Sequence, residues 1–267
     1  MRNILEIRNL HVQYGETVIV KDVSFNLQEG SWLMLTGPNG AGKSTIVNAI
    51  TQGTPYTGEV FYEGRDIRSY HAGEIARNIG MLSQNHSVSY SFTVGEIVRL
   101  GRYAYTSGIF HTKDDDGTAS VERALELTGM TDMAGKSVLK LSGGEIQRMF
   151  LAQLFAQDPR ILILDEPTNH LDLIYQKQVF ELIASWLKEE GRAVISVVHD
   201  LSLARAYGTE ALLLNHGSVL AQGKVEDVFS RSNLETAYSM DVYAWMQKML
   251  SQWEEDAVPA DVDGGLY

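Results

Sequence analysis

Eight residues from Gly37 to Ser44, GPNGAGKS, bring three glycines, a lysine and a hydroxyl into one short loop. Glycines let successive backbone N–H groups face a single anion with no side chain in the way. Gly37, Pro38, Asn39, Gly40, Ala41 and Gly42 are therefore a candidate cradle for phosphate groups. Lys43 has the reach for β- and γ-phosphates, and the Ser44 hydroxyl is the hard oxygen donor that Mg²⁺ prefers, with Thr45 next in the opening of a helix. Alone, the loop establishes binding of a nucleoside triphosphate and leaves kinases, GTPases and motor ATPases open. A second cluster, ILILDEP at 161–167, ends a run of four aliphatic residues on two carboxylates. Asp165 is suited to hold Mg²⁺, through water. Glu166 is placed to orient, or take a proton from, a water attacking the γ-phosphate, because phosphoryl transfer needs positioning more than covalent chemistry. The four aliphatics argue for a buried strand and against plain surface charge.

These residues need elements that hold them. Residues 4–36 run in short apolar–polar alternations (ILEIRNLHVQY, VIVKDVSFNL, SWLMLTG) broken by glycine turns, which predicts a strand-rich opening. From Gly42 the spacing in STIVNAITQG turns helical and stops at Gly53, so a strand feeds a glycine loop that feeds a helix. Thr93 to about Ala156 reads as mostly helical, an inserted lobe. Strand 161–165, a helix through IYQKQVFELIASWLKEE and strand 193–199 then alternate as in parallel α/β construction. A hairpin is expected around Asn215–Gly217. The fold class expected is α/β, a P-loop core with a mixed, largely parallel sheet, an N-terminal antiparallel β subdomain and an inserted α-helical subdomain. It forms one domain over 1–253, with core 1–88 and 159–253, a helical part at about 89–158 and an acidic tail at 254–267. In ETAYSMDVYAWMQKMLSQW, the residues Val242, Trp245, Met246, Met249, Leu250 and Trp253 fit a helical stripe, which is expected to pack on the core.

Composition narrows the class. The 267 residues, 44% of them apolar, suffice for one large core with an inserted lobe. There is no cysteine, hence no disulfide and no thiolate metal site, as is usual in a reducing compartment. A formal charge of -12 without a basic patch speaks against nucleic acid as a partner. The opening MRNILEIRNLHVQY lacks the apolar stretch of a secretory signal, and no window has the uncharged apolar length of a membrane span, so any membrane role is expected to run through a separate subunit. The histidines lack metal-ligand spacing, which leaves no case for zinc.

LSGGEIQR at 141–148, just upstream of the Asp165 strand, resembles the signature motif of ABC ATPases, and the other elements of that family follow in order from Tyr14 to about Gly223. The resemblance implies a head-to-tail homodimer in which Ser142, Gly143, Gly144 and Glu145 of one copy complete the γ-phosphate site of the other. It implies that Tyr14 stacks on adenine, although a lone tyrosine on a strand is ordinarily core. It also implies that Gln84 contacts Mg²⁺ and links core to helical lobe, that Asn85–Val94 faces a permease, that Asp172 closes a loop crossing the dimer interface, and that His199 senses the γ-phosphate. ATP and Mg²⁺ are the implied ligands. Glu145 stands where many members carry Gln, and Gln153 where Arg is common; neither removes a phosphate ligand.

FTVGEIVRLGRY, LSGGEIQR and DEPTNHLD together are similar to the ATPases of type II importers of siderophores, haem and cobalamin. The resemblance thus implies a subunit at the cytoplasmic face of the membrane, bound to integral permease subunits and indirectly served by a substrate-binding protein. The alternative reading is a non-transport ABC ATPase, such as that of iron–sulfur cluster assembly, whose partner would be soluble.

Overall fold

The computed structural model of the chain describes residues 2–83, 91–105, 117–169 and 171–254. The elements begin with β1 (Asn3–Tyr14), β2 (Thr17–Gln28), β3 (Trp32–Thr36), α1 (Lys43–Ile50), β4 (Thr57–Tyr62), β5 (Arg65–Asp66), α2 (Ala72–Asn78) and β6 (Ile79–Leu82). They continue with α3 (Val94–Leu100), α4 (Thr118–Leu127), α5 (Gly143–Gln157), β7 (Ile161–Asp165), α6 (Leu173–Leu187), β8 (Ala193–Val197) and α7 (Leu201–Tyr207). The last are β9 (Glu210–Asn215), β10 (Ser218–Lys224), α8 (Val225–Val228), α9 (Arg231–Tyr238) and α10 (Val242–Glu254). The expected tail beyond Glu254 lies outside the described residues.

Two sheets result. The alternating N-terminal runs form an antiparallel sheet in the order β2-β1-β4-β5. The second sheet has the order β10-β9-β3-β8-β7-β6, parallel throughout except for the β9–β10 hairpin. Its central strands WLMLT, ILILD and AVISV are buried at every position, as strands covered on both faces must be. Side-chain alternation divides them between two cores. Trp32, Met34, Leu162 and Leu164 face one core with α5, α6 and the helices α3 and α4. Leu33, Leu35, Ile161 and Ile163 face the other, with α1 and the antiparallel sheet. Each such fully buried aliphatic contributes about 1.5–3 kcal/mol to holding the central strands in place. Trp32 fixes the first core further: its ring stacks on Phe180 at 5.3 Å, and its Nε1 donates to Ser196 Oγ at 2.8 Å inside the sheet.

The C-terminal stripe departs from expectation. Val242 is buried and Met246 packs on the core, but Trp245, Met249, Leu250 and Trp253 are exposed, the last at 77%. Among the described residues the polar anchors of α10 sit at its beginning, where the Tyr243 hydroxyl donates to the Phe229 carbonyl at 2.6 Å, and Arg205 donates to the same hydroxyl at 3.2 Å. Beyond Met246 the exposed face of the helix runs off the core.

Candidate functional site

The phosphate loop joins the buried end of β3 to α1. Gly37 adopts φ 137, and a Cβ there would collide with the Leu214 carbonyl oxygen of β9, so only glycine lets the loop lie against the sheet. Gly42, at φ 97, precedes the first helical residue. Lys43 is buried and turns back over the loop, its Nζ donating to the carbonyls of Gly37 at 2.7 Å and Pro38 at 3.0 Å. Burial holds its pKa below the usual lysine value, opposed by the charges of Glu166 and Asp165.

Parallel pairing of β7 with β8 carries Asp165 and Glu166 to the carboxyl end of the sheet, beside that loop. Ser44 Oγ donates to Asp165 Oδ1 at 3.0 Å. Burial pushes the Asp165 carboxyl above the usual range, and the Ser44 hydrogen bond offsets part of this. Two hard oxygen donors thus converge on one buried point where a carboxylate lacks a full counter-charge. That donor chemistry fits Mg²⁺, which is commonly held through one or two carboxylates with water completing its shell.

Glu166 has φ 54, a left-handed backbone that glutamate seldom adopts. Its carboxylate is bracketed: Oε1 is 2.7 Å from His199 Nε2, and Oε2 accepts from Asn169 Nδ2 at 2.9 Å. Asp200 caps α7 by accepting from the N–H groups of Ser202 and Leu203, which fixes the turn that presents His199. A cavity of about 620 Å³ is lined by Ile19, Asn39, Gly40, Gly42, Lys43, Ser44, Thr45, Glu166, Asn169 and His199. That volume is within the range of small-molecule and cofactor sites.

The remaining anticipated residues fall in three places. Pro38 and Ala41 face an adjoining hollow with Asn215 and Tyr238. Tyr14 is half-exposed, its hydroxyl bonded to Thr54 Oγ1 at 2.8 Å, and it does not line the cavity of its own chain, whose wall on that side is Ile19. Ser142, Gly143, Gly144, Glu145 and Asp172 do not line it either. Ser142 caps α5 in a reciprocal box: its Oγ accepts from the Glu145 N–H, and Glu145 Oε2 accepts from the Ser142 N–H at 2.7 Å. Lys136 Nζ donates to the other Glu145 oxygen at 3.1 Å. The Ser142 backbone bond above all, with help from Lys136, holds the Glu145 carboxyl below its usual range. Ser142 and Gly143 are exposed, Gly144 is buried under Tyr175, and Asp172 Oδ1 caps α6 by accepting from Tyr175 N at 3.0 Å. Gln84 lies outside the described residues, as does most of Asn85–Val94.

Sequence reasoning passed over Asn169, Ile19, Lys136, Gln147 and Tyr175. Only Asn169 carried a local signal, an amide three residues after Glu166 in a turn. The others act through contacts that no short window contains.

The ABC transporter family profile matches residues 20–169. The chain is 37% identical over 92% of its length to an uncharacterized ABC transporter ATP-binding protein of Bacillus subtilis, YvrA, and spans 57% of that relative's length. It is 34% identical to the ferric enterobactin transport ATP-binding protein FepC of Escherichia coli, covering 86% of this chain and 85% of FepC. In three dimensions it matches MJ1267, an ATP-binding cassette of an ABC transporter in its ADP conformation, with a TM-score of 0.79 at 21% identity over 89% of this chain and 99% of that one, which is a likeness of fold. A profile covering more than half of the chain and a relative matched over most of both lengths agree with a loop, carboxylate pair and histidine gathered round one cavity: the chain belongs to the ABC transporter family, as an ATP-binding protein of it.

Proposed function

We propose that this chain is the ATP-hydrolysing subunit of a type II ABC importer, and that it works as a head-to-tail homodimer beneath two permease subunits, driving uptake of an iron chelate, haem or cobalamin. The observation that carries the hydrolytic part is the Glu166 carboxylate, held from both sides by His199 and Asn169 at the edge of a cavity floored by Lys43 and Ser44. ATP lies along the loop 37–44, its phosphates on the backbone N–H groups and on Lys43 Nζ. Glu166 takes a proton from the attacking water as the γ-phosphate transfers, and Asn169 keeps the carboxylate aimed. His199 reports on the γ-phosphate. Ser44 and Asp165 would hold Mg²⁺, which when bound supplies charge neutralisation on the phosphates. Tyr14 contacts adenine, Gln84 would help hold Mg²⁺, and Ser142, Gly143 and Gly144 of the twin chain, with Glu145 and Asp172, close the site from the other side.

FepC, a ferric enterobactin transport protein, supports the iron-chelate part of the cargo class, and attachment at the cytoplasmic face through a permease is part of the same reading. Among the described residues no helix is long and apolar enough to cross a membrane. The test is co-purification with that permease, followed by reconstitution in proteoliposomes with candidate binding proteins. A binding protein loaded with an iron chelate, haem or cobalamin is expected to stimulate ATPase, and Glu166→Gln is expected to lower the rate by about a hundredfold or more. A Glu166→Gln protein that hydrolyses at the normal rate would remove Glu166 from the chemistry, and stimulation by none of the three cargo classes would remove the import reading.

A further inference from the structure

Helix α5 is tied at one point to the segment that carries Glu166 and at a second to the start of α6. One turn beyond the exposed Ser142 and Gly143, Gln147 Nε2 donates to the carbonyl of Pro167 at 2.6 Å. Pro167 is buried and follows Glu166 directly, so this bond fixes the Pro167–Thr168 peptide unit, one residue beyond the left-handed one. The second tie is steric. Gly144 lies flat against the ring of Tyr175, and a Cβ at 144 would stand 2.6 Å from its Cγ. Tyr175 belongs to the first turn of α6, capped by Asp172, and the Arg148 guanidinium lies 5.8 Å from the centre of its ring. From the tip of α5 to Glu166 the route is one helical turn and one short hydrogen bond.

We propose that Gln147 is a positioning residue that couples the two ATP sites of the paired molecule. It ties the cap that a chain lends to its twin's nucleotide to the carboxylate that the same chain keeps for its own. This rests on the proposed head-to-tail pairing. When Ser142 and Gly143 meet the γ-phosphate in one site, α5 moves as a unit, because the Ser142–Glu145 box stiffens its first turn. Gln147 carries that shift to the Pro167 carbonyl, and so to the direction in which Glu166 points in the other site. Filling one site thus sets the geometry of hydrolysis in the second, which is a coupling free energy between the two. An amide is well suited to this link, because it donates to a buried carbonyl without bringing a charge into a half-buried position.

The experiment uses the full chain, with its permease for hydrolysis and free of it for pairing. ATP dependence of hydrolysis is measured for the natural protein and for Gln147→Ala, and ATP-driven pairing is measured by size exclusion for Glu166→Gln with and without Gln147→Ala. The expected result is a Hill coefficient falling from about 2 towards about 1 and kcat falling about tenfold in Gln147→Ala, while both Glu166→Gln proteins pair alike. Equal pairing also shows that the variant is folded. A Hill coefficient unchanged by Gln147→Ala overturns the coupling role and leaves the pairing intact. Loss of pairing only in the double variant overturns it as well, since Gln147 would then serve assembly. Failure of the single Glu166→Gln protein to pair brings down the head-to-tail reading and this inference with it.

Discussion

Asp165 shows how a single side chain can trade stability for chemistry. Burial pushes its carboxyl above the usual range. A carboxyl whose folded-state pKa exceeds its unfolded value is neutral in both states at low pH and costs nothing there. The cost enters as pH rises from the ordinary carboxylate range and is complete only above the raised folded value. Lys43, whose pKa is lowered by burial, carries the complementary cost, present while the ammonium is charged and lost as pH rises from its lowered folded value to the unfolded one. Asp165→Asn keeps an acceptor for Ser44 and deletes the buried charge. It is expected to raise the thermal midpoint by about 2–4 °C and lower ATPase about a hundredfold, read by calorimetry and a phosphate-release assay. A midpoint that drops would show that the charge itself anchors the loop. At this scale the sequence is most transparent: Lys43, Ser44, Thr45, Glu166 and His199 line one cavity, with Asp165 bonded to Ser44 beside it, because glycines at fixed spacing and acids after four aliphatics admit few arrangements. Asn169 was less visible, since an amide in a turn has many other uses.

At the scale of elements, apolar runs such as ILILD and AVISV predicted buried parallel strands, and Ser142 followed by Glu145 is a cap signal that α5 obeys. What no window displayed is the contact between elements: Lys136 on Glu145, Tyr175 on Gly144, and Gln147 on Pro167 each join residues 9 to 31 positions apart. Lys136 explains how an acid can stand in the cap proposed to meet the twin's phosphate. Its ammonium, 3.1 Å away, neutralises Glu145 while the carboxylate serves the box. Lys136→Met is therefore expected to raise the apparent KM for ATP about fivefold by exposing that charge, and adding Glu145→Gln is expected to restore it, since glutamine keeps the cap without the charge. Steady-state kinetics on the three proteins decide the matter. An unchanged KM in Lys136→Met would mean that Glu145 does not face phosphate.

For the molecule as a whole, the two cores on opposite faces of one parallel sheet leave the carboxyl ends of β3 and β7, with the turn after β8, pointing into a single crevice, and a chain of this type can hardly avoid placing its ligand there. Legibility failed at the far end, where the stripe of α10 promised burial and the exposed Trp245 and Trp253 belie it. Helical periodicity tells which residues share a face and says nothing of whether the core extends far enough to meet them.

The left-handed backbone at Glu166 bears on how such a protein decays over generations. Glycine, asparagine and aspartate rest in that region more comfortably than glutamate, so each would relax the main chain while shortening or deleting the reach of the carboxylate. On the proposed catalytic role of Glu166, the backbone term at this position favours residues that cannot hydrolyse, and selection for hydrolysis acts against it.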